Sequence, residues 1–418
     1  MQKAGPKILN EARRPSQASR RGLDWFTFFV ADIQTGFGPF LSVYLTTQKW
    51  TQTDIGLVLS LGSIAGLLSQ IPGGWLVDAA PSKRRAATLA VVCLGISALL
   101  IAASPFFLSV VMAKLLHVGA SSVLGPAIAA ITLGLVGYAG VGPRLGRNAQ
   151  FASLGSAIAA GVMGAFGYLI SPQAVFYVTA AMALPAILAL LCIRDAEINP
   201  LTADGGFRST YILPTPSGIA ETVLQRPILV LIVAILLFHT ANAAMLPLVG
   251  SAMAMQSSQW ATALIAACII GPQLIVAAIS PKVGALAQIW GRRPLLLIGF
   301  AVLPIRGALL AYTTEPYVIV AVQMLDGITA SVLSVLVPLS LADTTRGTGR
   351  FNLMQGIVGS AAGVGAAIST FLAGRLADSL GTSIAFLVLA AIAVGAVVLL
   401  LSAMPETKPA SQGATMPQ

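Results

Sequence analysis

The chain has 418 residues; 56% are hydrophobic, only 9% are charged, and the mean hydropathy is +0.87. A soluble globular domain carries charge on roughly a quarter of its residues, so that class is excluded. The net charge of +10 would suit a nucleic-acid binder, but its placement along the chain points to membrane topology instead.

A helix needs about 20 apolar residues to cross a bilayer. Twelve such runs are predicted, over 24–46, 53–78, 86–104, 106–132, 148–170, 173–193, 227–252, 260–286, 295–313, 316–341, 351–375 and 382–403. A basic tail, 1–23, precedes them and has no apolar core of its own, unlike a cleaved signal. The runs form an N-terminal six-helix half, 24–193, and a C-terminal half, 227–403. Between the halves lies a polar linker, 194–226, with a short helix expected over 217–225; a tail, 404–418, ends the chain. The fold class expected is an all-α membrane protein of twelve transmembrane helices. With the N-terminus cytoplasmic, every Lys and Arg except Lys49, Arg375, Lys114 and Arg306 falls on the cytoplasmic side. That bias is the positive-inside rule, and it predicts an inner-membrane protein with both termini cytoplasmic.

Few polar residues interrupt the runs. The first carries Asp32 and Gln34, and the fourth carries Lys114 and His117. The seventh carries His239 and Asn242, the eighth Gln273, the ninth Arg306 and the tenth Asp326. An ionisable group inside a span is costly, so each of these is a candidate for function or for pairing. Counting depth at 1.5 Å per residue, Asp32 comes level with His117, or with Lys114 by reaching. A carboxylate beside a cation in low dielectric has the tunable protonation a proton site requires. Arg306 and Asp326 form a second candidate pair, either a structural prop or part of the transport path. Gln34, Lys114, His239, Asn242, Gln273 and Asp326 are the candidate substrate contacts. Cys93, Cys192 and Cys268 have neither metal nor disulfide spacing and read as small apolar fillers.

The halves repeat one another. Gly74-Trp75-Leu76-Val77-Asp78, followed by Lys83-Arg84-Arg85, returns 210 residues later as Gly284-Ala285-Leu286-Ala287-Gln288, followed by Gly291-Arg292-Arg293. Lys114 and His117 align with Gln323 and Asp326, Pro39 with Pro247, and Gly146-Arg147 with Gly349-Arg350. A carboxylate at the end of its own helix, as at Asp78, opposes the helix dipole. It becomes favourable where it faces the N-terminus of another helix.

The duplicated loop resembles the loop motif of the major facilitator superfamily, and Pro405-Glu406-Thr407 resembles an ending frequent there. The resemblance covers residues 24 to about 407. It implies alternating access around a site near the midplane, with Asp78 latched near Arg350–Asn352 at the start of the eleventh span. It also implies a gate of Asp78, Arg84, Arg85, Arg292 and Arg293, in which Arg84 or Arg85 is the cationic partner of Asp78. Gln288 replaces the acid of the second copy, so an asymmetric gate is expected. The fifth run keeps glycines at Gly155, Gly161, Gly164 and Gly167 but lacks the proline of the antiporter signature. The leading reading is a proton-coupled exporter of a small organic molecule, with Asp32 as the proton carrier tuned by His117 or Lys114. The alternative is an importer or facilitator of a small metabolite, anionic if Lys114 receives it. No nucleophile elbow, phosphate loop or His-rich metal spacing suggests an enzyme, and no cofactor is expected. The expected partners are the substrate, protons and the lipid bilayer, with no nucleic acid and a monomeric chain.

Overall fold

Hydrocarbon offers no partner for a free backbone N–H or C=O, so a chain this apolar must satisfy its backbone within helices. The computed structural model describes residues 15–35, 38–205, 216–249 and 261–409, and no strand occurs among them. In chain order the helices are α1 (Gln17–Thr35), α2 (Gly38–Thr47), α3 (Gln52–Ala79), α4 (Lys83–Ala103), α5 (Phe107–Leu169) and α6 (Ala174–Leu191). Two short helices follow, α7 (Pro200–Ala203) and α8 (Pro216–Val223). The second group is α9 (Arg226–Asn242), α10 (Ala261–Trp290), α11 (Arg293–Tyr312), α12 (Pro316–Gln323), α13 (Leu325–Thr344), α14 (Phe351–Leu380) and α15 (Thr382–Ala403). Among the described residues, ten segments are long and apolar enough to cross a membrane.

Several boundaries differ from the sequence reading. The fourth and fifth runs are one helical stretch of 63 residues, bent at Gly137, whose φ of 64° only glycine adopts freely. The tenth run breaks after Gln323 into α12 and α13. The linker begins as packed structure. Its 3₁₀ turn Asp195–Glu197 lies against the start of α1 and the α3–α4 turn, α7 touches both Gly134 and Asn352, and α8 stands where a short helix was expected.

The helices α1 and α3–α6 pack among themselves, as do α9–α11 and α13–α15. The two groups meet chiefly where α3 lies along α14 and α5 along α10. One end of the bundle, termed the basal face, holds the start of α1, the α3–α4 turn, the first part of the linker, the α10–α11 turn and residues 403–408. Hydrogen bonds and ion pairs knit these segments together. The two groups approach most closely near this face. A methyl group on Gly74 would collide with the carbonyl oxygen of Asn352, and one on Gly284 with that of Gly142. Small residues here let backbone meet backbone.

Candidate gate and transport cavity

A cavity of about 460 Å³ lies between the two groups, within the size range of small-molecule sites. Its walls come from α1, α5, α9, α13 and α14, and they are mostly aliphatic. Among the described residues, Thr27, Asn148, His239, Ser334 and Gln355 supply the polar groups, and no Asp, Glu, Lys or Arg lines it. Gln355 Nε2 is buried without a hydrogen-bond partner among the described residues, which leaves a donor for a ligand.

One wall of the cavity rests on a buried charge network. Asp24 of α1 meets Arg144 Nη2 at 2.7 Å, and Arg147 grips the same carboxylate through Nε and Nη2 at 2.8–3.0 Å. Arg144 Nε donates to Asn148 Oδ1, and Asn148 Nδ2 donates to Thr132 Oγ1. Asn148 is therefore held rigid where it faces the cavity. Sequence reasoning placed Asp24 at the edge of the first run and passed over it. With only 14 acids in the chain, each one warranted a search for its cation.

At the basal interface, Asp78 accepts from Leu353 N at 2.8 Å, Asn352 Nδ2 at 2.7 Å and Asn352 N at 3.3 Å. These donors sit in the first turn of α14, so the carboxylate meets free N–H groups and the positive end of that helix. The cation beneath it is Lys83. Its ammonium donates to the carbonyls of Val77, Asp78 and Ala80 at the end of α3 and pairs with Asp204 of the linker at 2.5 Å. The expected pairing of Asp78 with Arg84 or Arg85 is corrected here. Arg84 turns to Ile193 O and Asp195, and Arg85 is exposed. The reason is geometric: in a tight turn only the first basic residue can fold back under the helix it follows.

The second copy is built on the same plan. Arg292 Nη1 donates to Ala287 O near the end of α10, and its Nε meets Asp343 of α13 at 2.8 Å. Glu406 accepts from the backbone N–H groups of Arg292 and Arg293, and Arg293 Nη2 donates to Leu401 O. Burial alone would raise the Glu406 carboxyl. The N–H donors of Arg292, Lys408 and Arg293, with the Arg292 charge, outweigh it and hold the group below the usual carboxylate range. Gln288 packs against Gly142, where a carboxylate would stand in an exact repeat.

The linker spans both groups at this face. Glu197 caps the start of α1 through Ser16, Asp195 accepts from Ser82, and Asn199 N donates to Gly134 O. On the far side, Ala203 O and Gly205 O accept from Asn352 Nδ2 and Gly347 N. The guanidinium of Arg346 sits 4.5 Å over the Tyr138 ring.

A family model described as Major Facilitator Superfamily matches residues 25–282 and 231–416. The chain is also 41% identical over 392 residues to two uncharacterized MFS-type transporters of Mycobacterium tuberculosis, MT2531 (strain CDC 1551 / Oshkosh) and Rv2456c (strain H37Rv). The match covers 93% of this chain and 93% of each relative. This chain belongs to the major facilitator superfamily. The fold agrees with that of solved transporters, one of them described as a Major Facilitator Superfamily transporter. It superposes on FucP in the outward conformation with a TM-score of 0.73 at 13% identity, covering 91% of this chain and 97% of that one. For the human organic anion transporter MFSD10 the TM-score is 0.67 at 15% identity, covering 93% and 99%. For the nucleoside transporter NupG it is 0.66 at 15%, covering 92% and 100%.

The remaining predicted residues of this transporter are dispersed. The side chains of Asp32 and Gln34 lie outside the described residues. His117 is buried, and Lys114 folds its stem over Gly62 of α3, away from the cavity wall. His239 lines the cavity, edge-on to Phe238. Arg306, fully buried on α11, donates to Asp326 Oδ1, to Asn242 Oδ1 at 2.7 Å and to Met245 Sδ. It thereby ties α11 to α9 and α13 and engages two of the candidate substrate contacts. Gln273 is half-buried on α10 and does not line the cavity.

Proposed function

We propose that this transporter exports a small, uncharged, largely apolar organic molecule by alternating access, coupled to protons. The observation that carries the reading is the cavity, which is mostly aliphatic and, among the described residues, offers neutral polar groups on opposing walls without a charged side chain. An ion bound there would lose its hydration without a counter-charge. A neutral molecule with one or two acceptors would meet Gln355, His239 and Ser334. In this reading twelve spans form two halves of six, and the basal face is cytoplasmic, in keeping with its arginines and lysines. Asp78 at the start of α14 then latches the cytoplasmic side, and release of that latch opens it. Asp32 carries the proton, because an acid within an apolar span must either pair or neutralise.

The test is flux in inverted vesicles under an imposed pH gradient, using a ligand chosen by thermal shift from a panel of neutral and anionic compounds. Gradient-driven accumulation inside the vesicles is expected, Asp32→Asn should abolish it, and exchange should survive. Selection of anions alone, or uptake only in right-side-out vesicles, would defeat the reading. The importer alternative draws on Lys114, which has no carboxylate within ion-pair distance among the described residues. Its place outside the cavity wall favours the neutral substrate.

A further inference from the structure

A second recess lies on the outside of the bundle. It has a volume of about 470 Å³ and runs between α1 and α6 near the basal face. Gly22, Trp25 and Phe29 form one side, Leu188 and Cys192 the other, and the guanidinium of Arg21 stands at its rim. The helices touch where Gly22 meets Ala189 O, a contact that any larger residue would block. Trp25 is 49% exposed and Leu188 55%, so the recess faces whatever surrounds the protein.

The charge around its mouth is one-sided. Arg20 and Arg21 have no carboxylate within ion-pair distance among the described residues, and Arg20 and Arg147 both lie close enough to repel Arg144. Of the acids near them, Asp24 is buried and already gripped by Arg144 and Arg147, and Glu197 accepts from Ser16. Arg194, whose N–H donates to Ser19 Oγ, is mostly exposed and 3.7 Å from Glu197. Trp25 contacts Phe28, Phe29 and Phe151, with Arg147 over the Phe151 ring. Aromatic rings beneath a row of arginines match the boundary between acyl chains and headgroups. Basic pockets between spanning helices bind anionic lipid headgroups, and long basic side chains reach up to that level.

We infer that this recess is a binding site for one anionic phospholipid of the basal leaflet. An acyl chain would lie along Trp25, Phe29 and Leu188, and the phosphate on Arg21. The site is separate from the transport cavity and stands whichever substrate is carried.

The test uses the full chain in nanodiscs containing brominated phosphatidylglycerol or brominated phosphatidylcholine. The quenching due to Trp25, one of five tryptophans, is isolated by difference from Trp25→Phe. Half-maximal quenching should need about fivefold less phosphatidylglycerol than phosphatidylcholine, the contribution of one Arg near an anionic surface. Arg21→Gln should erase that preference, Arg21→Lys should keep most of it, and Arg375→Gln on the opposite face should leave it unchanged. Elution as a single symmetric species confirms that each variant is folded. Equal quenching by both lipids, or an undiminished preference in Arg21→Gln, would overturn the assignment. So would protection of Trp25 from both lipids, which would mean that protein covers the recess.

Discussion

The two copies of the basic turn hold their own helices alike but face the opposite half with different chemistry. In each, a buried cation, Lys83 or Arg292, donates to the carbonyls at the end of the preceding helix and pairs with a buried acid. The acids have different origins. Asp343 belongs to α13, but the position 209 residues earlier (343 − 209 = 134) is Gly134. Residues Ile198 and Ala203 of the linker fill the space that glycine leaves, and the linker brings Asp204 to Lys83. The physical requirement, a carboxylate for a buried cation, is thus met in both halves by different parts of the chain. Across the interface the copies diverge. Asp78 meets three donors at the start of α14, while Gln288 packs neutrally against Gly142.

Removing one cation would strain this comparison most. Lys83→Met leaves Asp204 buried without its partner, and Arg292→Met does the same to Asp343. Each should lower stability by about 3–5 kcal/mol, the usual result of stranding one member of a buried pair. Thermal melting in detergent measures the loss. Adding Asp204→Leu to Lys83→Met should recover most of it, and failure to recover would show that the carbonyl cap matters more than the ion pair.

Next comes the interface acid. Asp78→Ala leaves the N–H groups of Asn352 and Leu353 without acceptors, which should cost the basally closed state about 2–4 kcal/mol. Transport should fall by more than tenfold, and labelling of a cysteine placed on the basal side of the cavity should rise. Gln288→Ala removes only a neutral amide and should cost less than about 1 kcal/mol in the same assays. Equal effects from the two substitutions would erase the asymmetry.

The smallest effect belongs to Glu406. Its carboxyl is held below the ordinary value, so its contribution is complete above the unfolded value. It is lost as the pH falls through the lower, folded value. The melting difference between the wild type and Glu406→Gln should be constant near neutrality and vanish in acid below the ordinary glutamate range. A difference that grows on acidification would have the wrong sign.

Much of the site was legible in the sequence, and so were some of its pairings. Asp78 stood out because a carboxylate at a helix C-terminus needs a donor elsewhere, and the family resemblance, not the spacing, named the start of the eleventh run as that donor. The structure brings the two into contact. Arg306 and Asp326 were also paired from depth, and they meet. Lys83 was overlooked in favour of its neighbours because a run of three basic residues does not reveal which one folds back. The Asp24–Arg144–Asn148 network was missed because its members straddle an end of an apolar run, where burial depends on how α1 and α5 cross.

By itself the sequence determined an all-α membrane protein, a duplication, and the few polar residues that needed partners. Hydrocarbon forbids unpaired backbone, so apolar length alone dictates helices, and a repeat offset survives any packing. The tertiary structure alone decided which charges meet. Asp78 and Leu353 are 275 residues apart, and Ser16 and Glu197 are 181 apart. The linker's place against both halves and Arg306's reach between α9 and α13 follow from helix crossings set by small residues and close packing. Such crossings arise from the three-dimensional fit of many side chains at once, which no spacing along the chain encodes.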